Sequence, residues 1–98
     1  MVEFIDNDND RTFLLKDEVI SVKLLKLEDL LNNFIREDDR NAIIDLTNVT
    51  KIDSMSLAAL IRVKNRLGKS GRKLNLINPT EGVMRVLELA GLDAFLLD

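Results

Sequence analysis

The side chains that could take part in chemistry in this chain are carboxylates, lysines, arginines and hydroxyls, because its 98 residues include no histidine and no cysteine. Thiol nucleophiles, disulfides, Cys/His zinc sites, imidazole bases and Ser-His-Asp triads are therefore excluded. A hydroxyl in such a chain has no imidazole to activate it, so chemistry at a serine must be supplied by a partner. We expect a protein that is acted upon, with no catalytic residue, no metal site and no cofactor of its own.

Hydroxyls are concentrated in residues 47–57, which read Thr-Asn-Val-Thr-Lys-Ile-Asp-Ser-Met-Ser-Leu. This segment follows an apolar run at 42–46 that is typical of a buried strand. In an open parallel sheet, binding sites lie beyond the carboxyl ends of the strands, where this segment would be. Either Asp53 or Ser54 can be the N-cap of the helix that follows, since either side chain can accept a hydrogen bond from a free amide of the first turn. Capping alone would explain both residues.

Three amphipathic helices are predicted around this segment, because apolar residues recur at spacings of three and four. Glycine and proline mark three of their boundaries, as is usual at helix ends. The predicted helices are residues 24–35, ended by the charged run 36–40; residues 54–67, stopped by Gly68 and Gly71; and residues 80–90, opened by Pro79 and Thr80 and capped by Gly91.

Five strands are predicted, at residues 2–5, 11–15, 42–46, 73–78 and 94–97. The first two flank a polar turn and should form a hairpin. The resulting order is β-β-α-β-α-β-α-β, in which helices alternate with strands in the second half and lay those strands parallel. We therefore expect a single α/β domain over residues 1–98, with a mixed four- to five-stranded sheet and helices packed on it.

The turn at residues 6–10, Asp-Asn-Asp-Asn-Asp, has two interpretations. Its alternating acidic and amide oxygens resemble a calcium-binding loop, but the central glycine and the downstream bidentate glutamate of such a loop are absent. Asn and Asp also favour turns, because their side chains bond to nearby backbone. The second interpretation, a solvated turn, is favoured.

Charge and composition disfavour several classes of partner. The net charge is −3, and acidic and basic residues are interspersed along the chain. Nucleic-acid binding requires a clustered positive surface, and the four phenylalanines offer few platforms for base stacking. The N-terminus lacks the features of a signal peptide, and no apolar run reaches the roughly 18 residues of a membrane span. We expect a cytoplasmic protein without membrane insertion.

The order of elements and the residues of the 47–57 segment resemble the STAS domain, the fold of bacterial anti-sigma factor antagonists and of the cytoplasmic tails of sulfate transporters. The resemblance covers essentially the whole chain and is closest at residues 41–92. Its most specific part is the signature Asp-Ser-x-Gly-Leu, which here reads Asp53-Ser54-Met55-Ser56-Leu57. Ser56 therefore replaces the glycine of the signature. The segment at 16–19, by contrast, matches the family poorly.

The resemblance implies an anti-sigma factor antagonist that works by partner switching. In the family, the unphosphorylated antagonist binds an anti-sigma factor with serine kinase activity, phosphorylation of the signature serine breaks the contact, and a serine phosphatase restores it. Carried over, Ser54 is the expected phosphoacceptor. The expected partner-binding residues are Asp53, Ser54, Met55, Ser56 and Asn48.

The serine at position 56 leaves three outcomes open. Phosphorylation is retained at Ser54, or Ser56 becomes a second and less favoured acceptor, or its side chain narrows the approach and phosphorylation is lost. The last outcome corresponds to an alternative function, a STAS interaction module of a transport or signalling assembly that phosphorylation does not control. For Met55, both an exposed position at an interface and a buried one in the core remain open.

Overall fold

A computed structural model describes residues 2–16, 19–20 and 25–97, and within these ranges the chain forms six strands and four helices. The strands are β1 (Val2–Asp6), β2 (Asp10–Leu15), β3 (Val19–Ile20), β4 (Asn41–Asp45), β5 (Lys51–Ile52) and β6 (Leu74–Ile77). The helices are α1 (Leu25–Glu37), α2 (Ser54–Lys69), α3 (Glu81–Leu89) and α4 (Asp93–Leu97). Two predictions concern residues outside the described ranges: Leu24, predicted to begin the first helix, and residues 17–18 of the poorly matching segment.

The main sheet has four strands in the order β1-β2-β4-β6. β1 and β2 form the predicted antiparallel hairpin, in which Phe4 lies opposite Phe13. β2, β4 and β6 are mutually parallel, so the prediction of a mixed sheet is confirmed. A second, parallel pair is formed by β3 and β5, which have two residues each. Strands this short carry no alternating pattern, and the sequence did not predict them.

One face of the main sheet supplies its buried side chains. They alternate along the strands with half-buried or exposed residues, as expected when only one face is covered. All four helices add side chains to the same core, which explains why a chain of this size has one domain. The largest fully buried side chains are Phe13, Leu31, Ile44, Leu46, Leu67, Leu74, Leu76, Leu87 and Leu96.

The end of α2 differs from its predicted position, because the helix continues through Gly68 to Lys69. Gly71, with a φ of 71°, is the residue that ends it. The amide of Arg72 donates to the Leu67 carbonyl at 2.9 Å, and the Gly71 amide donates to the Gly68 carbonyl at 3.0 Å. These two bonds form a Schellman motif, which requires the left-handed conformation at one residue only. Gly91 ends α3 in the same way, as predicted.

The prediction of a final strand at 94–97 was wrong, because Asp93–Leu97 forms the helix α4. A short apolar run does not distinguish a strand from a buried helix by its pattern. Here Leu96 is buried, and its amide donates to the Leu92 carbonyl at 2.9 Å. Lys64 on α2 donates to the Phe95 carbonyl and lies 4.6 Å from the centre of the Phe95 ring. These contacts hold α4 against the helical layer.

The polar turn at 6–10 is organised by Asn7. Its side-chain oxygen accepts hydrogen bonds from the amides of Asn9, at 2.9 Å, and Asp10, at 2.8 Å. Asp6, at the start of the turn, forms a 2.6 Å ion pair with Arg11. Such local bonding is the reason Asn and Asp favour turns. None of the helices in the described part of the chain is long and apolar enough to cross a membrane.

Candidate functional site

The segment between β4 and α2 lies at the carboxyl ends of the parallel strands, as predicted. Buried apolar residues anchor it at regular intervals: Leu46, Val49 and Ile52 all point into the core. The amide of Val49 donates to the Leu46 carbonyl at 2.9 Å, which closes a tight turn. Thr47 and Asn48 are exposed at this turn. The apolar anchors thus fix the backbone and leave its polar side chains on the surface.

Asp45, the last residue of β4, organises the beginning of the segment. Its carboxylate accepts hydrogen bonds from the amide and the hydroxyl of Thr47, at 3.0 and 2.6 Å, and from the side-chain amide of Asn78, at 3.3 Å. Partial burial alone would raise the pKa of Asp45, but these bonds outweigh it and lower the pKa below its ordinary value. Asp45 therefore remains an anion that joins the end of β4 to the residue after β6.

The first turn of α3 holds the middle of the segment in place. The hydroxyl of Thr80 donates to the Val49 carbonyl at 2.5 Å, although Thr80 is also the N-cap residue of α3 and makes no side-chain capping bond. Gly82 lies directly beside Thr50: a Cβ atom at position 82 would come within 2.5 Å of the Thr50 carbonyl oxygen. Sequence reasoning missed this contact. The feature that could have indicated this contact is Gly82 itself, since glycine has no conformational advantage in the first turn of a helix.

Asp53 is the N-cap of α2. Its backbone is extended, with φ −96° and ψ 169°, and its carboxylate accepts a hydrogen bond from the Ser56 amide at 2.8 Å. The pKa of Asp53 is lowered, chiefly by the Ser56 side chain and then by the hydrogen bond from the Ser56 amide. Of the two predicted capping residues, Asp53 therefore has the role, and the Ser54 hydroxyl is not needed for it.

The three residues after Asp53 have very different exposures. Ser54, the first residue of α2, is exposed. The Met55 side chain is 61% exposed, so of the two positions left open for it the structure has the surface one. Ser56 is 2% exposed and faces α1, where it lines a narrow gap together with Leu27 and Leu31. An α-helix turns 100° per residue, which accounts for this change of surroundings within three positions.

The structure thus places the five predicted partner-binding residues along the segment from the turn after β4 to the first turn of α2, at different depths. Asn48, Ser54 and Met55 are exposed, and we call these three residues the switch surface. Asp53 is half-buried behind it, and Ser56 is buried. The described residues hold no group of three or more acidic side chains placed to bind a metal ion. The site offers an exposed hydroxyl and an exposed thioether on a rigid turn, which suits recognition by another protein.

Comparison of the whole chain with known protein families shows which family it belongs to. Residues 2–97 match the STAS domain family. The chain belongs to the STAS domain family. The resemblance inferred from the Asp53-Ser54 signature is therefore confirmed. A Thermotoga maritima protein (strain ATCC 43589 / DSM 3109 / JCM 10099 / NBRC 100826 / MSB8), whose name proposes an anti-sigma factor antagonist, is 31% identical over 64 residues. The match covers 65% of this chain and 57% of that relative.

Solved structures show the same fold. The anti-sigma factor antagonist SpoIIAA in its unphosphorylated form superposes with a TM-score of 0.85 at 14% identity, covering 100% of this chain and 87% of that one. The phosphorylated form of Bacillus SpoIIAA gives a TM-score of 0.75 and covers 100% and 90% of the two chains. A domain of the murine anion transporter Slc26a9 gives 0.73 at 16% identity, covering 88% of this STAS chain and 14% of the transporter. The predicted α/β fold class is thus confirmed.

Proposed function

We propose that this STAS chain is a cytoplasmic anti-sigma factor antagonist, whose binding to an anti-sigma factor with serine kinase activity is controlled by phosphorylation of Ser54. The observation that carries the proposal is that the capping residue of α2 and the exposed serine beside it are different residues. Asp53 caps the helix, so the exposed Ser54 hydroxyl has no structural task. The names of the Thermotoga relative and of SpoIIAA, with its phosphorylated form, support the same function.

A phosphate on Ser54 would act at the interface and leave the fold intact. It adds about 1.5 to 2 negative charges. At the N-terminus of the 16-residue helix α2, the helix dipole and free amides favour a negative group. Asp53, however, stays ionised beside it because hydrogen bonds from Ser56 lower its pKa. A partner that must remove water from both charges would lose about 3 to 4 kcal/mol of binding free energy, a several-hundredfold loss of affinity.

Burial favours Ser54 over Ser56 as the phosphoacceptor. A kinase must place the acceptor hydroxyl against ATP, and the Ser56 side chain is buried between α1 and α2. Modification of Ser56 would require the first turn of α2 to unwind. The Ser56 side chain also points away from the switch surface, so it does not narrow the approach to Ser54. In this proposal the chain is a substrate and a ligand without an active site, and a serine phosphatase regenerates the binding form.

Phosphorylation with the partner kinase and ATP, mapped by mass spectrometry, tests this proposal. We expect one phosphate on Ser54 in the wild-type chain and none in Ser54→Ala. The matched control is Ser70→Ala, which removes an exposed serine from the other end of α2 and should be phosphorylated normally. Ser54→Asp should bind the kinase at least about tenfold more weakly than the wild type. A phosphate elsewhere, or wild-type affinity for Ser54→Asp, would refute the proposal.

Met55 is expected to anchor the partner, because it is a large apolar side chain exposed beside the acceptor serine. Met55→Ala should weaken kinase binding about 5- to 30-fold, as for an interface hot spot. The free energy of unfolding of the Met55→Ala variant should change by less than about 0.5 kcal/mol, since few contacts are lost. Leu89→Ala is the control: Leu89 is 83% exposed on α3, and its loss should affect neither property. Calorimetric titration measures the affinity of both variants, and urea denaturation measures their stability. If Met55→Ala bound the kinase as tightly as the wild type does, this role for Met55 would be contradicted.

A second candidate function is a STAS interaction module that phosphorylation does not control. The observation that favours it is the departure from the family signature at Ser56, although the buried Ser56 side chain leaves the approach to Ser54 open. The same experiments separate the two functions. A constitutive module would bind its partner equally well as wild type, Ser54→Ala and Ser54→Asp, whereas an antagonist would lose affinity only when position 54 carries a negative charge.

A further inference from the structure

The two edges of the main sheet are protected to different degrees. In the described part of the chain, the strand order β1-β2-β4-β6 gives β1 and β6 a neighbouring strand on one side only. β6 has four residues, and α4 packs beside it. It is followed by Asn78, whose φ is 54°, and by Pro79. Short strands, covering helices and proline all hinder the pairing of a further strand, so the β6 edge is protected.

β1 is the longer and more exposed of the two edges. Its five residues, Val2–Asp6, include no proline and no glycine, and the last four are exposed. Phe4 is 52% exposed and Ile5 is 70% exposed. Successive side chains of a strand point to opposite faces, so each face of β1 presents a large apolar side chain. An exposed apolar edge of this kind favours pairing with another strand.

The backbone of β1 presents hydrogen-bonding groups on its outer side. Just after β1, the Asn7 amide donates to the carbonyl of Asp10 in β2 at 2.9 Å. Backbone groups of an antiparallel strand point alternately towards its partner and away from it. The amides and carbonyls of Val2, Phe4 and Asp6 therefore point away from β2. Alternating donors and acceptors along an extended backbone match another β-strand, which identifies the kind of occupant that this edge fits.

The two acidic side chains of β1 do not oppose the approach of a second strand. The Glu3 carboxylate lies 3.5 Å from the Lys16 ammonium, and the Asp6 carboxylate lies 2.6 Å from the Arg11 guanidinium. Each carboxylate is thus balanced by a cation of the same chain. Unbalanced charges are one means of preventing edge-to-edge pairing, and β1 does not have this protection.

The sequence of β1 is complementary to itself in an antiparallel pair. When Phe4 lies opposite Phe4 of a second copy, Glu3 lies opposite Ile5 and Asp6 lies opposite Val2. This register pairs the two aromatic rings and places no like charges directly opposite each other, both of which stabilise cross-strand pairs. In the register centred on Glu3, by contrast, two carboxylates would meet.

We propose that β1 is a dimer interface, at which two copies of this chain pair their β1 strands antiparallel, centred on Phe4, to form one continuous eight-stranded sheet. The contact uses the same strand of both copies, so it closes after two chains. No residue of the switch surface lies on β1. The inference is therefore independent of the proposed function, and either can fail without the other.

Sedimentation equilibrium tests whether the chain associates. The weight-average mass should rise from that of one chain towards that of two between about 10 µM and about 1 mM, because one pair of strands buries little surface and gives a weak dimer. Phe4→Glu should weaken the dimer about five- to tenfold, since two carboxylates would meet at its centre. Within one chain, the new carboxylate would lie beside Arg11, which now covers the Phe4 ring.

Leu89→Glu is the matched control for charge. It makes the same change at a side chain that is 83% exposed on α3, and the variant should associate like the wild type. If both glutamate variants weakened the dimer equally, the effect would come from net charge and the β1 interface would be refuted.

Cysteine cross-linking tests the register, because the chain has no cysteine of its own. Two Phe4→Cys chains would place their Cα atoms about 5.5 Å apart, within the range of a disulfide. Ile5→Cys residues would be offset by about 7 Å along the strands as well, beyond that range. Phe4→Cys should therefore form disulfide dimers in air at least about tenfold faster than Ile5→Cys, although Ile5 is the more exposed residue.

Three outcomes would overturn the proposal. A wild-type chain that remains monomeric at about 1 mM would show that this edge does not pair with a second copy and is left to a strand of another protein. A mass that rises beyond two chains would show open-ended association. Equal cross-linking of the two cysteine variants would show random collision without a defined register.

Discussion

The two ends of the main sheet use their polar side chains differently. At the amino end, where β4 and β6 begin, charged residues neutralise one another across several elements. Asp6 pairs with Arg11 at 2.6 Å and with Arg40 at 3.1 Å, while Asp38 lies 3.4 Å from Arg40. At the carboxyl end, where β4 and β6 finish, the three exposed residues of the switch surface face solvent.

Arg72 extends the bonding at the amino end into the helical layer. Its guanidinium donates to the carbonyls of Arg40, at 2.7 Å, and Ile35, at 3.0 Å. It also lies 5.0 Å from the centre of the Phe34 ring. Arg72, two positions before β6, thereby satisfies a carbonyl near the end of α1, where helices leave such groups unpaired. The Arg72 side chain thus connects α1, the residue before β4 and the residues that lead into β6.

Bonding at the carboxyl end mostly orients the backbone of one segment. Asp45, Asp53 and Thr80 each bond to a nearby turn or loop, and their bonds determine which side chains remain outside. The difference between the ends separates two tasks: the amino end stabilises the assembly of strands and α1, and the carboxyl end presents a surface. Substitutions at the two ends should therefore have separable effects on stability and binding.

The largest effect on stability is expected for Arg72→Met at the amino end. Methionine can still cover Phe34, but it leaves the carbonyls of Ile35 and Arg40 without their donors. The free energy of unfolding should fall by about 2 to 4 kcal/mol, the range for losing two partly buried hydrogen bonds from a charged donor. Urea denaturation measures this loss. Affinity of the folded fraction for the proposed kinase partner should stay at the wild-type value; reduced affinity would show that the two ends are coupled.

A smaller loss of stability is expected for Gly82→Ala at the carboxyl end. The new Cβ would come within 2.5 Å of the Thr50 carbonyl oxygen, so α3 or the segment before α2 must move. The expected cost is about 1 to 3 kcal/mol, as for other overpacked sites. Because the displaced segment carries the switch surface, affinity for the proposed kinase partner should fall as well.

Gly68→Ala is the matched control for this substitution. Gly68 lies within α2, and a Cβ there would meet no atom within 4 Å. Alanine should stabilise the chain by up to about 1 kcal/mol through its helix propensity. If thermal and urea denaturation give the two alanine variants equal stability, the close contact between Gly82 and Thr50 is not significant.

The smallest effect is expected for the loss of stability at acidic pH, because the charged groups at the amino end are largely solvated. Arg11 is the main cause that lowers the pKa of Asp6, and backbone hydrogen bonds from Arg40 and Asp39 lower the pKa of Asp38. A carboxylate with a lowered folded-state pKa contributes stability above its unfolded value, and this contribution is lost as the pH falls through the folded value. The urea midpoint should therefore decline below about pH 4.

Asp6→Asn tests the share of the amino end in this decline. The variant should have a lower urea midpoint than the wild type at pH 7 and a shallower decline in acid. Glu28, Asp45 and Asp53 also have lowered pKa values, so part of the acid dependence should persist. Asp8→Asn, in the same turn, is the control and should follow the wild type. An unaltered slope in Asp6→Asn would exclude the amino-end ion pairs as a source of acid sensitivity.

Most of the fold could be predicted because its signals are local. Helical spacing of leucines predicted α1 and α2, alternation and turn residues predicted the β1–β2 hairpin, and Gly91 predicted the end of α3. The α4 helix was mistaken for a strand because four apolar residues are compatible with either. The strands β3 and β5 were missed because a two-residue strand is defined only by its partner.

The sequence by itself determined the fold family, the location of the candidate site after β4, and the absence of any imidazole or thiol that could activate Ser54. These features depend on residue types and on spacing along the chain. Only the tertiary structure decided that Met55 is exposed, that Ser56 is buried against α1, and that Gly82 meets Thr50. Each of these facts depends on which distant segment packs beside the residue, and local periodicity carries no information about that.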